Sequence, residues 1–309
     1  MVFPRIQSRF LVNLAMTLAL LFTQFLGGIT TAMILFLIAS GLSLVFGIMR
    51  VLNFAHGSFY MIGAYLAWQF VSWWAPVNPE AFWWAVLCAA LGVALLGGLV
   101  ERVVLRHLYG VDELYQLLCT YSLVLILADA TKFTWGTKQL SVSRPPSLAG
   151  SIEIFGATLP IYNLFIIAVG VLVTIAVWLV LTRTGSGRLL RAAALDREML
   201  GALGANVGKL YTGMFMASSF LAGLSGALIT PIQSIVPGMD VQIIVDAFII
   251  VVIGGIGSFW GTLLGALIYG QVLAFGTLIF PGFSIFSVFA LMAVVLVVRP
   301  SGLLGQPLR

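Results

Sequence analysis

Arg50-Val51-Leu52-Asn53-Phe54-Ala55-His56-Gly57-Ser58 lies between two long apolar runs, 28–49 and a second that resumes at Phe54 and reaches Trp74. Asparagine, histidine and serine are costly in hydrocarbon unless they face protein or a water-filled path. A polar stretch that interrupts bilayer-compatible sequence on both sides marks the place where the chain does more than anchor itself. It points to a pathway through a membrane.

Outward from that stretch, composition fixes the environment. Of 309 residues, 61% are hydrophobic and 8% charged, with a mean hydropathy of +1.13. Soluble domains carry about 25% charged residues, so this chain cannot cover a water-exposed surface. It reads as an all-α, polytopic transmembrane helical bundle with almost no extramembranous domain. The net charge of +5 comes from Lys and Arg at the ends of apolar runs, not from a basic patch interleaved with aromatics. The bilayer, and not nucleic acid, is the expected surrounding. Cys88 and Cys119 sit inside apolar runs and read as small buried hydrophobes, with neither zinc nor disulfide spacing. The run from Phe10 lacks a small-residue cleavage site, so no cleavable signal is expected.

A span takes about 20 mainly apolar residues. The candidates are 10–26, 28–49, 54–74, 81–100, 115–133, 161–181, 210–229, 243–256, 261–280 and 284–298. This gives about ten spans, or eight to ten if a run is re-entrant. With the N-terminus in the cytoplasm, Arg5, Arg9, Arg50, Arg102, Arg106, Arg183, Arg188, Arg191, Arg197, Lys209, Arg299 and Arg309 fall inside. Only Lys132, Lys138 and Arg144 fall outside, as the positive-inside rule requires. An even span count returns the C-terminus to the cytoplasm. Trp73, Trp74, Trp83 and Trp84 bracket the outer turn 76–80, where an aromatic belt is expected.

Two loops are long. In the external loop, 134–160, the alternation in Ser151-Ile152-Glu153-Ile154-Phe155 and Thr158-Leu159-Pro160 reads as a short hairpin. In the inner loop, 182–209, the good helix formers of 189–203 followed by Gly204-Ala205-Asn206 read as one amphipathic helix on the cytoplasmic face. Arg188 and Arg191 do not complement its dipole, and a phospholipid or protein surface accounts better for them. A faint echo joins Gly57-Ser58-Phe59-Tyr60 to Gly257-Ser258-Phe259-Trp260; both open spans in the same direction, so they are no inverted pair.

Asn53 has two readings: an N-cap for the span that follows, or a lining residue of the path. His56 has no carboxylate or second histidine nearby, so a catalytic or metal role is not expected. Gly254-Gly255-Ile256-Gly257 lacks the Lys-Ser/Thr of a phosphate loop; with Gly261 and Gly265 it reads as close helix packing. Of the carboxylates in or beside spans, Asp129 and Asp246 stand out. Asp129 precedes Lys132 by three residues and reads as a helical-turn ion pair. Asp246 reads as the start of the eighth span, as a cap or facing an outer vestibule. The path candidates are therefore Asn53, His56, Ser58 and Asp246.

Gly41-Leu42-Ser43-Leu44-Val45-Phe46-Gly47-Ile48, then Asn53-Phe54-Ala55-His56-Gly57 and Tyr60-Met61-Ile62-Gly63-Ala64-Tyr65, resemble the signature of the LivH-type permeases. These are inner-membrane subunits of bacterial ABC importers for branched-chain amino acids. Arg183-Thr184-Gly185, Gly187-Arg188, Arg191-Ala192 and Gly201 to Asn206 are similar to that family's cytoplasmic loop. The likeness continues through Gly223–Leu228 and Ala247–Ser258, and covers roughly 28–300 in order.

The resemblance implies that residues 1–309 form one permease domain in the bacterial inner membrane. It implies a second, LivM-like permease subunit, two ABC ATPase subunits that bind ATP and Mg, and a periplasmic substrate-binding protein. The inner loop would be the coupling element, with Arg188, Arg191, Ala192, Ala193, Gly204 and Asn206 carrying it. The chain would bind no cofactor and hydrolyse nothing itself. One departure stands out: where the family commonly has an acidic residue after His-Gly, this chain has Ser58. Related systems carry urea, short amides or other amino acids, so the solute stays open. An ion-coupled carrier, the alternative from another class, would work without an ATPase and depend on Asp129 or Asp246.

Overall fold

The computed structural model describes residues 3–78, 80–154, 156–279 and 281–305, with side chains described from Leu18 onward. Its longest element, α1 (Phe3–Met49), joins the expected spans 10–26 and 28–49 in one helix. The sequence separates those spans at Gly27-Gly28, but the glycines serve a different purpose. Helix α10 (Phe259–Ile279) packs there, and a Cβ on Gly28 would lie 2.8 Å from Gln271 Nε2. Gln271 Nε2 donates to Phe25 O at 3.0 Å across the gap. With no proline to break it, a glycine pair in an apolar run admits a neighbour instead of ending the helix. The expectation of ten separate spans is corrected to that extent. It also follows that the N-terminal end of α1 lies at the opposite end from Arg50.

Among the described residues, seven helical segments are long and apolar enough to cross a membrane. They are Leu18–Met49 of α1, α3 (Phe82–Val103), α4 (Glu113–Trp135), α5 (Ile161–Arg183), α8 (Val207–Ile229), α10, and Pro281–Val298, which contains α11 (Ser284–Val298). Helices α2 (His56–Trp74) and α9 (Met239–Gly254) are not among the seven. The apolar windows of α1 and α8 are 78% buried, those of α5 and α11 only 17% and 6%. The first pair is therefore the centre of the bundle, and the second presents its side chains outward. Small residues let the central backbones touch. A Cβ on Gly63 would lie 2.6 Å from Gly223 Cα, and one on Gly97 2.5 Å from Ser219 Cβ. The same device joins α9 to α10, where a Cβ on Gly265 would lie 2.6 Å from Ile250 O.

The chain reverses sharply after α1. Arg50 adopts φ +54°, a left-handed conformation uncommon for a residue with a side chain. Residues 51–53 then run without helical structure, and His56 Nε2 donates to Ile38 O at 3.1 Å. Ile38 lies eleven positions before Met49, about 16 Å back along α1 at 1.5 Å per residue. Helix α2 thus begins well inside the bundle, not at its surface. Helix α9 begins opposite it: a Cβ on Gly57 would lie 2.9 Å from Ile244 Cβ, and the Phe54 and Phe248 rings stand 5.0 Å apart.

At the far end of the bundle, β1 (Ser151–Ile154) and β2 (Ala157–Pro160) form the expected antiparallel hairpin. Leu140 and Ile235 pair beside it. Glu80 anchors this loop by accepting from the Ser147 amide and hydroxyl at 3.0 and 2.9 Å, and from Trp83 Nε1 at 2.9 Å. At the end marked by Arg50, the inner loop forms two helices, α6 (Gly185–Leu195) and α7 (Arg197–Ala202), instead of the one expected over 189–203. Asp196 divides them: its side chain accepts from the Glu198 and Met199 amides at 3.0 and 2.9 Å. An aspartate that caps a new helix cannot continue the old one. Helix α6 also starts earlier than expected, because Thr184 accepts from Gly187 N at 3.0 Å.

Two outcomes test this packing. Gly226→Leu would drive a side chain into the Tyr60 carbonyl, whereas Gly213 has open space around it. Thermal unfolding of the purified protein is expected to show a loss of about 1–3 kcal/mol for the first and little change for Gly213→Leu. The hydrogen bonds from Ser147, then from Trp83, hold the Glu80 carboxyl below its usual range. A depressed carboxyl keeps its contribution above the unfolded value of about 4.3 and loses it as pH falls through the folded one. The Trp83 indole N–H resonance is expected to stay constant down to about pH 4.3 and to move below it, but not in Glu80→Gln.

Candidate functional site

The interrupted stretch places a set of polar side chains in the centre of the bundle. Asn53 is fully buried, and neither its oxygen nor its nitrogen has a hydrogen-bond partner among the described residues. The capping reading is not what the fold uses: the residue before α2 is Ala55, with no side-chain cap. His56, 1% exposed, spends Nε2 on Ile38 O and leaves Nδ1 without a partner. Gly41 makes room beside it, since a Cβ there would lie 3.1 Å from His56 Nε2 and 2.9 Å from Ser218 Oγ. The Ser43, Ser218 and Ser219 hydroxyls are likewise buried and unpartnered. Most native buried polar groups are paired; this many unpaired ones mark a place built for something besides packing.

Ser58 donates to Asp240 Oδ2 at 3.0 Å, and both side chains are buried. Asp246, the acid expected to start a span, instead lies in the middle of α9 and accepts from the Tyr269 hydroxyl at 2.7 Å. The helix starts at Met239 because the turn before it closes on Gly238 at φ +91°. Asp240, in the first turn, takes the position assigned to Asp246. The structure therefore brings Asn53, His56 and Ser58 into one interior region, but pairs Ser58 with Asp240. The Pro237-Gly238 turn ahead of an apolar run was the signal that could have found it.

A second overlooked acid, Glu101, is fully buried in the last turn of α3. It accepts from Tyr109 and Thr212 hydroxyls, both at 2.7 Å. Asp129 and Lys132 form the expected ion pair at 3.1 Å, on an exposed surface. Among the described residues, no cluster of three His, Cys, Asp or Glu could hold a metal ion.

In the inner loop the expected residues divide by role. Arg191 Nη1 donates to Leu181 O at the end of α5, so its charge offsets the dipole of a different helix. Ala193 is buried, and Ala192 half-buried. Asn206 caps α8 by accepting from Lys209 N at 2.9 Å. Gly204 takes φ +87° just past α7 with nothing nearby, so conformation and not space requires glycine there. Arg188 is exposed. The outward surface is mainly apolar: Leu195, Met199 and Leu203 are 87%, 63% and 76% exposed. Sequence reasoning passed over these three in favour of charged and small residues. Beside them lies a polar cleft of about 400 Å³ whose lining includes Arg50, Glu113, Asp196 and Arg197.

A helical bundle with a re-entrant polar segment and a jointed helical loop at one end defines a polytopic membrane permease. The family described as branched-chain amino acid transport system, permease component, matches residues 24–298, and the chain belongs to it. It is 30% identical to the high-affinity branched-chain amino acid transport permease BraD of Pseudomonas aeruginosa, over 92% of this chain and 95% of BraD. It is 29% identical to the Escherichia coli permease LivH, with the same shares covered. To the LivM permease of E. coli it is 26% identical, over 89% of this chain and 68% of LivM. No solved structure matches.

Because the Asn53 side chain makes no hydrogen bond among the described residues, Asn53→Ala is expected to leave the thermal midpoint of the purified protein unchanged or slightly raised. A drop of the size that follows loss of a cap, about 1 kcal/mol, would return Asn53 to a structural role.

Proposed function

We propose that this chain is the membrane-spanning permease subunit of an ATP-driven importer, carrying branched-chain amino acids across the bacterial inner membrane. The observation that carries this is the re-entrant segment 50–58, which brings Asn53, His56 and Ser58 to the interior start of α2, within a family of amino-acid permeases. Its partners are a second, LivM-like permease, two ABC ATPases that bind ATP and Mg, and a periplasmic binding protein. The likeness to both LivH and LivM, two permeases of one organism, supports the pairing.

The end bearing Arg50, α6 and α7 faces the cytoplasm. Arg102, Arg106, Arg183, Arg188, Arg197, Lys209 and Arg299 collect there, as positive-inside topology requires. The C-terminal end of α11 lies on the same side, a placement supported by the bond from Leu303 N to Ile253 O near that end. On this reading the N-terminal end of the unbroken α1, with Arg5 and Arg9, lies on the outer side, opposite to the cytoplasmic N-terminus expected from the sequence. The exposed Leu195, Met199 and Leu203 form the contact for an ATPase subunit, and nucleotide-driven motion enters the bundle through α7 and the cap of α8. Arg188 flanks that contact, while Arg191, Ala192, Ala193, Gly204 and Asn206 shape its support.

Reconstitution of the chain with all its partners in liposomes is the test. Leucine uptake is expected only with ATP and the binding protein present. Uptake by the chain alone, or without ATP, would overturn the importer reading. Met199→Asp with Leu203→Asp is expected to release the ATPase subunits during purification. Gly204→Trp and Arg191→Glu are expected to keep them bound while ATP hydrolysis no longer drives uptake.

A further inference from the structure

Asp240 is 1% exposed, in the first turn of a helix that begins inside the bundle. Its Oδ2 accepts the Ser58 hydroxyl, and its Oδ1 has no partner among the described residues. No cation pairs with it there; the ion pair found among those residues is Lys132–Asp129. A buried carboxylate held by one neutral hydroxyl is unfavourable, and within a membrane such a group is kept for what it binds.

The surroundings say which kind of ligand fits. Tyr65 lies seven residues after Ser58, on the same face of α2. Its hydroxyl is buried, has no partner among the described residues, and lies within electrostatic reach of Asp240. The unfilled groups are thus a carboxylate oxygen and a neutral hydroxyl, between walls that include Ile244 and Gly57. A divalent cation takes six or more oxygen ligands, commonly from several carboxylates, and this set supplies one acid. A primary ammonium on an apolar body matches it: three N–H donors for the acceptors, hydrocarbon for the walls. In the closed arrangement α2 and α9 touch at Gly57, so such a group enters only when the two helices part. The Ser58 hydroxyl then gives up its place to a charged donor, whose hydrogen bond to carboxylate is about twice as strong.

We propose that Asp240 receives the α-ammonium group of the transported amino acid, with Ser58 holding its place in the closed state. This rests on the permease reading above and names the group of the substrate that its path recognises.

The test uses the membrane complex of this chain with its second permease and ATPase subunits, without the periplasmic binding protein, in lipid nanodiscs without nucleotide. Binding of radiolabelled L-leucine is measured against two competitors. Isoamylamine keeps the ammonium and lacks the carboxylate; 4-methylpentanoate keeps the carboxylate and lacks the ammonium. Isoamylamine is expected to displace leucine and 4-methylpentanoate is not. Asp240→Asn is expected to weaken leucine binding at least about tenfold, with the ATPase subunits still co-purifying. Displacement by 4-methylpentanoate alone would overturn the assignment, as would unchanged binding in Asp240→Asn. So would leucine binding that requires sodium and yields to neither competitor. If Asp240→Asn does not assemble, competition on the unaltered complex decides by itself. ATP-driven leucine uptake by the same subunits, reconstituted in liposomes with the binding protein, is measured in parallel. Its absence would sink the permease reading, whereas uptake with the wrong competition pattern would sink only the ammonium site.

Discussion

Backbone that leaves helical geometry inside hydrocarbon must find its hydrogen bonds within the protein, and the segment 50–55 is where this fold meets that demand. The Arg50 amide closes on Phe46 O, the Leu52 carbonyl accepts from Thr120 of α4, and the carbonyls of Asn53, Phe54 and Ala55 open the first turn of α2. Each bond ties the segment to a different neighbour. The reversal at Arg50 is therefore held by three helices, and the depth at which α2 starts follows from it. Helix α9 is short for the same reason, since it meets α2 part-way along and not at the surface.

Close approach of backbones is the second constraint. Lipid is as apolar as a leucine side chain, so helices in a bilayer gain little from burying large residues against one another. Contacts at Gly63/Gly223, Gly226/Tyr60 and Gly47/Gly257 supply van der Waals packing instead. One face of α3 is turned outward, where Leu87, Leu91, Leu95 and Leu99 are all exposed.

Much of this was legible beforehand. Alternation marked the hairpin at 151–160, the three-residue spacing marked Asp129–Lys132, and the glycines at 257, 261 and 265 marked close helix packing, which Gly261 and Gly265 make between α9 and α10 and Gly257 makes with Gly47 of α1. The polar break at 50–58 was visible, but its depth was not. Depth is set by a hydrogen bond between His56 and Ile38, eighteen residues apart, and local pattern carries no trace of that. Asp240 was missed for a related reason: beside a turn it resembles a surface acid, and only the tertiary fold buries it. Gly27-Gly28 misled in the opposite sense, since glycines read as a boundary when the neighbour that packs on Gly28, Gln271, lies 243 residues away. Asp196 sat within a stretch of good helix formers, and its capping preference was outweighed by the run around it. Ser58, where the family resemblance leads to an acid, meets one supplied from α9 instead.

Glu101 gives the molecule a mechanical property. Its two carboxylate oxygens grip Tyr109 beyond the end of α3 and Thr212 near the start of α8, while higher up the same two helices press together where Val93 packs on Gly223. Two struts fastened at both heights behave as one stiff beam. Asn206 pins the lower end of that beam directly to the jointed loop. The jointed loop is thereby linked, through one continuous pair of helices, to the level where Gly226 of α8 meets Tyr60 of α2.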